Sequence, residues 1–122
     1  MLPVLIALAG GGGAVARFVL DGVVQDRTDS PAPLGTFVIN VSGSFLLGVI
    51  AGLTIGHTLS ANAKLIAGTG FLGGYTTFST YALETYRLVE DRAHALAAAN
   101  LLGSIAAGLA AAALGLLLTG AL

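Results

Sequence analysis

The stretch Gly70-Phe71-Leu72-Gly73-Gly74-Tyr75-Thr76-Thr77-Phe78-Ser79-Thr80-Tyr81 starts apolar and, after two glycines, becomes a dense set of hydroxyls. The run before it, Ala61 to Gly74, is apolar but about a third too short to cross the hydrocarbon as a straight helix. After it, helical character resumes through Leu83 and Leu88 and ends in Glu90-Asp91-Arg92. Irregular backbone at membrane depth is tolerated only where protein or a water-filled path receives its freed polar groups. The pattern predicts one crossing over 61–90, made of two half-helices with an unwound centre near 73–77.

Working outward, three longer apolar stretches flank this segment, at about 2–24, 34–56 and 94–118. Each meets the roughly 20 residues needed for a membrane-spanning helix. Gln25 to Pro33 (QDRTDSPAP) separates the first two as a water-exposed loop. The 122 residues are 56% hydrophobic and 9% charged, far below the roughly one quarter charged of soluble domains. Mean hydropathy is +0.93, so the bilayer is the natural solvent. The expected fold is an all-α integral membrane domain over 1–122, with four transmembrane helices and the third broken at its centre. Such a chain belongs in the cell's inner (plasma) membrane. Ala7-Leu8-Ala9 and Ala14-Val15-Ala16 resemble signal-cleavage sites, but no Lys or Arg precedes them, so the first stretch is read as a retained span.

Composition also excludes chemistries. With no cysteine, disulfides, thiolate metal sites and Cys nucleophiles are absent. His57 and His94 lie far apart in sequence, and no nucleophile–base pair can be assembled, so an enzyme is not expected. Net charge is −1 without a basic run, which argues against nucleic acid. Gly11-Gly12-Gly13-Ala14-Val15-Ala16 fits the dinucleotide pattern G-x-G-x-x-A but lacks the strand that motif needs. Gly48, Gly52 and Gly56, like Gly103, Ala107, Ala111 and Gly115, recur four apart and read as close helix packing.

The remaining polar residues are the informative ones. Asn40-x-x-Gly43-Ser44-x-x-x-Gly48 recurs as Asn100-x-x-Gly103-Ser104-x-x-x-Gly108, which suggests two related helix pairs. An amide in hydrocarbon needs a partner, so each Asn-Ser face meets another helix or an ion path. No carboxylate is placed at the centre of a span, which disfavours a cation ring or a proton relay. Asn amides, the hydroxyls of Thr76, Thr77, Ser79 and Thr80, and freed backbone amides suit a small anion. Phe78 and Tyr81, at i and i+3, either offer positive ring edges to that anion or are packed rings. Arg17 either neutralises Asp21 at the interface or gives an entrance a positive lining. Lys64 lies toward one side of the membrane, and Arg27, Arg87 and Arg92 toward the other. That bias is weak enough to permit insertion in both orientations.

Four features resemble the Fluc/CrcB fluoride channels. Gly70 to Tyr81 is similar to that family's GFxGGxTTFSTF signature, and Gly35-Thr36-Phe37-Val38-Ile39-Asn40 to its GTLxxN segment. The glycine-rich start ending at Arg17 and the segment Asn100-Leu101-Leu102-Gly103-Ser104 also match. The resemblance implies an antiparallel, dual-topology homodimer in the bilayer with two fluoride pores at its interface. It implies a structural Na⁺ at the dimer centre, held by the main-chain carbonyls of Gly73 and Thr76. It places Asn40, Phe78 and Tyr81 along the ion path, with Thr80, Ser104 and Arg17 as weaker members of the polar track and vestibule. Tyr81 departs from the family's usual Phe, and its hydroxyl either lengthens the hydrogen-bonded track or constricts it. Passive export follows, because a negative interior drives an anion out by roughly 2.3 kcal/mol per 100 mV. Two readings from other classes compete: a small proton-coupled multidrug exporter, with Asp21 as its carboxylate, and a passive helical subunit of a larger complex.

Overall fold

The computed structural model describes residues 1–122 and contains helices without strands. Helix α1 spans Leu2–Asp26, α2 Leu34–Ile55 and α6 His94–Leu118. All three are long and apolar enough to cross a membrane, so this is a multi-pass membrane protein. Pro3 stands in the first turn of α1, where the missing N–H costs nothing. Pro31 and Pro33 keep the preceding loop out of helix, and α2 starts directly after Pro33.

Residues 61–90 are helical in pieces. Ser60 caps α3 (Ala61–Lys64), its Oγ accepting from the Ala63 N–H at 3.1 Å. The chain then widens into a π-helix over Leu65–Leu72 and returns to α winding in α4 (Gly73–Tyr75). Thr76 is extended (φ −81°, ψ 160°), and winding resumes in α5 (Ser79–Glu90). Gly73 and Gly74, expected at the start of the unwound stretch, are therefore helical; the non-helical residues are 76–78. The reason is packing. A Cβ on Gly74 would collide with the Gly10 carbonyl, and one on Gly13 with the Phe71 carbonyl. These glycines let α1 approach the third segment backbone to backbone; they do not unwind it.

Helix α2 packs along α6 in the same way. A Cβ on Gly48 would overlap the Ala112 carbonyl, and one on Gly115 would lie 2.5 Å from the Phe45 carbonyl. Gly103, included in the packing stripe from its spacing, faces open space, and Gly56 is an exposed helix end. The glycine-rich G-x-G-x-x-A stretch lies inside α1, not in a strand–turn–helix. The apolar core is small: Ile39, Leu72 and Tyr75, flanked by Ala16, Leu20, Ile50 and Phe71. Most large apolar side chains point outward instead; Leu8 and Leu109 are 68% and 69% exposed. In water such a surface would aggregate, whereas lipid solvates it.

Candidate ion pathway

Asn40 in α2 fixes the non-helical stretch. Its Nδ2 donates to the Thr77 carbonyl at 2.8 Å, and the Thr77 N–H donates to its Oδ1 at 2.9 Å. The amide thus pairs with Thr77 as a neighbouring strand would, satisfying backbone groups that lipid cannot. One Nδ2–H remains, since an amide nitrogen carries two. In an unbroken helix the Thr77 N–H would return to the Gly73 carbonyl, so that oxygen loses its regular donor. The Thr80 N–H goes to Thr77 Oγ1 at 3.2 Å, which likewise deprives the Thr76 carbonyl. The Gly73 and Thr76 carbonyls beside the interruption are thus among those without their helical donors.

A groove of about 380 Å³ lies over this stretch. Asn40, Ser44, Thr76, Thr77 and Ser104 give it its polar lining, Phe78 and Tyr81 its rings, and Gly73 borders it. No charged side chain lines it. Ser104 Oγ is buried and has no hydrogen-bond partner. Ser44 Oγ, by contrast, donates back to the Asn40 carbonyl at 2.7 Å. Phe78 is 77% exposed, while Tyr81 is 7% exposed and donates its hydroxyl to the Leu101 carbonyl at 2.6 Å. The two ring centroids are 5.7 Å apart and tilted by 56°.

Asn40, Gly73, Thr76, Phe78, Tyr81 and Ser104 are therefore brought to one groove. Arg17 and Thr80 are not among its lining residues. They border a smaller cavity of about 210 Å³ with Asp21, Thr36 and Thr77, so Thr77 is shared between the two. Asp21 Oδ2 accepts from Gln25 Nε2 at 3.0 Å, and its Oδ1 fills the space where a Gly35 Cβ would stand.

Glu84 is a residue the sequence reading passed over. It is half-buried in α5 and accepts a hydrogen bond from Thr36 Oγ1 of α2. It also borders a polar cavity of about 470 Å³ with Arg87, Asp91 and the loop before α2. The signal was available: within α5, Tyr81, Glu84 and Leu88 recur at i, i+3 and i+7 and share a helix face. Thr77, Thr36 and Glu84 together make a polar line from the interruption to the loop end of the protein.

The CrcB family model, described as CrcB-like protein, Camphor Resistance, matches residues 4–116. The chain is 50% identical over 115 residues to "Fluoride-specific ion channel FluC 1" of Leifsonia xyli subsp. xyli, covering 94% of this chain and 84% of that protein. It is 53% identical over 110 residues to "Fluoride-specific ion channel FluC 2" of Mycolicibacterium paratuberculosis, covering 90% and 87%. A FluC 2 of Cutibacterium acnes is 49% identical over 114 residues, 93% of each chain. With the family model matching residues 4–116 and relatives about half identical over nine-tenths of its length, this chain belongs to the CrcB family.

Proposed function

We propose that the protein is a fluoride-selective channel that lets F⁻ leave the cell passively across the plasma membrane. The observation that carries this reading is the groove over residues 76–78, lined by neutral donors and a buried, unpartnered Ser104 hydroxyl. A small anion entering it exchanges water for hydroxyls and the free Asn40 N–H, with no carboxylate in the wall to repel it. Ring edges of Phe78 and Tyr81 add weak positive potential. Thr80 and Arg17 extend the polar surroundings on the far side of Thr77. The names of the relatives, all fluoride-specific ion channels, support the choice of ion.

The third crossing is then 61–90, broken at 76–78, which makes four crossings with the three long helices. The groove opens to the surface and Phe78 projects from it, which favours a second copy as its missing wall. Opposed insertion of the two copies, an antiparallel homodimer, fits the weak charge bias between the two sides. At its centre the carbonyls of Gly73 and Thr76 would hold a structural Na⁺. These oxygens have lost their helical donors and belong to residues that border the groove, and uncharged oxygen donors suit a hard cation. Bound there, the ion would supply a fixed positive charge.

The deciding experiment is anion efflux from liposomes carrying the purified chain, with fluoride and chloride measured in parallel. Rapid fluoride release without chloride release is the expected result. Release of neither ion from dimeric protein would sink the channel reading and favour the exporter, with Glu84 as its membrane carboxylate.

A further inference from the structure

Tyr81 is held at both ends. Its hydroxyl donates to the Leu101 carbonyl of α6 at 2.6 Å, and its own carbonyl accepts from Thr85 Oγ1 at 2.9 Å. Thr85 Oγ1 in turn accepts from Asn100 Nδ2 at 2.8 Å, and Asn100 directly precedes Leu101. These bonds close a circuit between α5 and α6, with the Tyr81 ring as one of its sides. The ring is also a wall of the groove. Its neighbour Phe78 has no polar tether and stands 77% exposed. Of the two rings, one carries no hydrogen bond and the other is latched.

On the fluoride-channel reading, we propose that the Tyr81 hydroxyl is a latch that slows anion passage, with Thr85 and Asn100 as positioning residues that keep it in register. The ring is buried beside the groove, and the latch acts on its tilt away from the groove, the motion that would widen the path. Tilting breaks the bond to Leu101, and the hydroxyl exchanges it for a partner in the groove. The bond's net strength is therefore added to the barrier. The circuit also explains why an otherwise apolar face of α6 carries Asn100: its amide orients Thr85, which holds the backbone at Tyr81.

The test compares fluoride efflux from liposomes carrying the whole chain as wild type, Tyr81→Phe, Thr85→Val and the double variant. Tyr81→Phe is expected to conduct about fivefold faster, the rate equivalent of about 1 kcal/mol for one ordinary hydrogen bond. Its efflux should also depend less steeply on temperature. Thr85→Val is expected to be faster by a smaller factor. The double variant should be no faster than Tyr81→Phe alone, because groups acting through one circuit are not additive. A merely structural role would instead lower thermal stability with each substitution and leave efflux unchanged or slower. Wild type that conducts while Tyr81→Phe is equal or slower would overturn the latch. If Tyr81→Phe fails to assemble, Thr85→Val with wild-type or slower efflux does the same. Wild type that releases no fluoride would instead remove the channel reading, and the latch with it.

Discussion

In α2, Asn40 closes two hydrogen bonds on the backbone of Thr77, whereas Asn100, at the matching place in α6, makes one, to the Thr85 hydroxyl. Gly43 lies against Thr76 and Tyr75, while Gly103 faces open space. Ser44 bonds to its own helix, and Ser104 is left without a partner. The two Asn-x-x-Gly-Ser segments share a sequence pattern and differ at every one of its three positions. What separates them is the neighbour. Helix α2 faces an interrupted segment whose backbone must be satisfied by side chains, so its Asn and Gly are committed to structure. At Asn100, α6 faces the intact winding of α5, which satisfies its own backbone, and a turn further on Ser104 lines the groove with its hydroxyl unpartnered.

The asparagines offer the largest contrast. Asn40→Ala strips partners from both the N–H and the C=O of Thr77, each worth about 1–3 kcal/mol when left unpaired and buried. A total cost of about 2–5 kcal/mol is expected, read from thermal unfolding in detergent. Because the groove floor moves with Thr77, fluoride efflux should fall about a hundredfold, the rate equivalent of about 2.7 kcal/mol. Asn100→Ala loses one side-chain bond, so a cost near 1 kcal/mol and efflux within about fivefold of wild type are expected. Equal damage from the two substitutions would show that the segments are used alike after all.

The glycines give a smaller contrast. A Cβ at Gly43 would fall on Thr76 Cγ2 and within 3.4 Å of the Tyr75 ring. Tyr75 is itself pinned, its hydroxyl sharing a hydrogen bond with Ser42 Oγ at 2.9 Å, so it cannot yield freely. Gly43→Ala is therefore expected to cost about 1–3 kcal/mol, as overpacking does, and to slow efflux by displacing Thr76. Gly103→Ala meets nothing within 4 Å and should gain up to about 1 kcal/mol from helix propensity. A destabilised Gly103→Ala would reveal a surface packed on that face, which a second copy could supply.

Hydropathy alone located the three long helices, because membrane spans are set by length and apolarity and need no knowledge of neighbours. It also marked residues 61–90 as different, and the hydroxyl-rich run drew attention to Phe78, Tyr81 and Thr76. The placement of the irregular stretch was not legible. Gly73-Gly74 reads as a helix breaker in one dimension, yet both residues remain helical, and Gly74 is the point where the α1 backbone closes on them. The turn falls instead at Thr76–Phe78, where a side chain thirty-seven positions away captures the backbone. Asn40 was singled out because an amide in an apolar span needs a partner, but that partner is a main-chain group, which no residue type announces. Glu84 was passed over because it stands near the charged helix end, and only its bond to Thr36 draws it into the protein.

The serines give the smallest effect on stability and the sharpest test of what the α6 segment is for. Ser44→Ala removes a bond to a carbonyl of its own helix, a type of bond that bends helices as much as it holds them, so stability should change by about 0.5 kcal/mol or less. Ser104→Ala removes a buried hydroxyl with no partner and should stabilise the protein by about 1 kcal/mol, since an unsatisfied polar group costs at least that much. If the hydroxyl is kept for the ion, the same substitution slows fluoride efflux about tenfold, the rate equivalent of about 1.4 kcal/mol. Stability and conduction then move in opposite directions at one atom. A packing residue moves both the same way, so Ser104→Ala that is less stable and slower would return Ser104 to the role of interhelical glue, and the α6 segment would differ from that of α2 only in its partner.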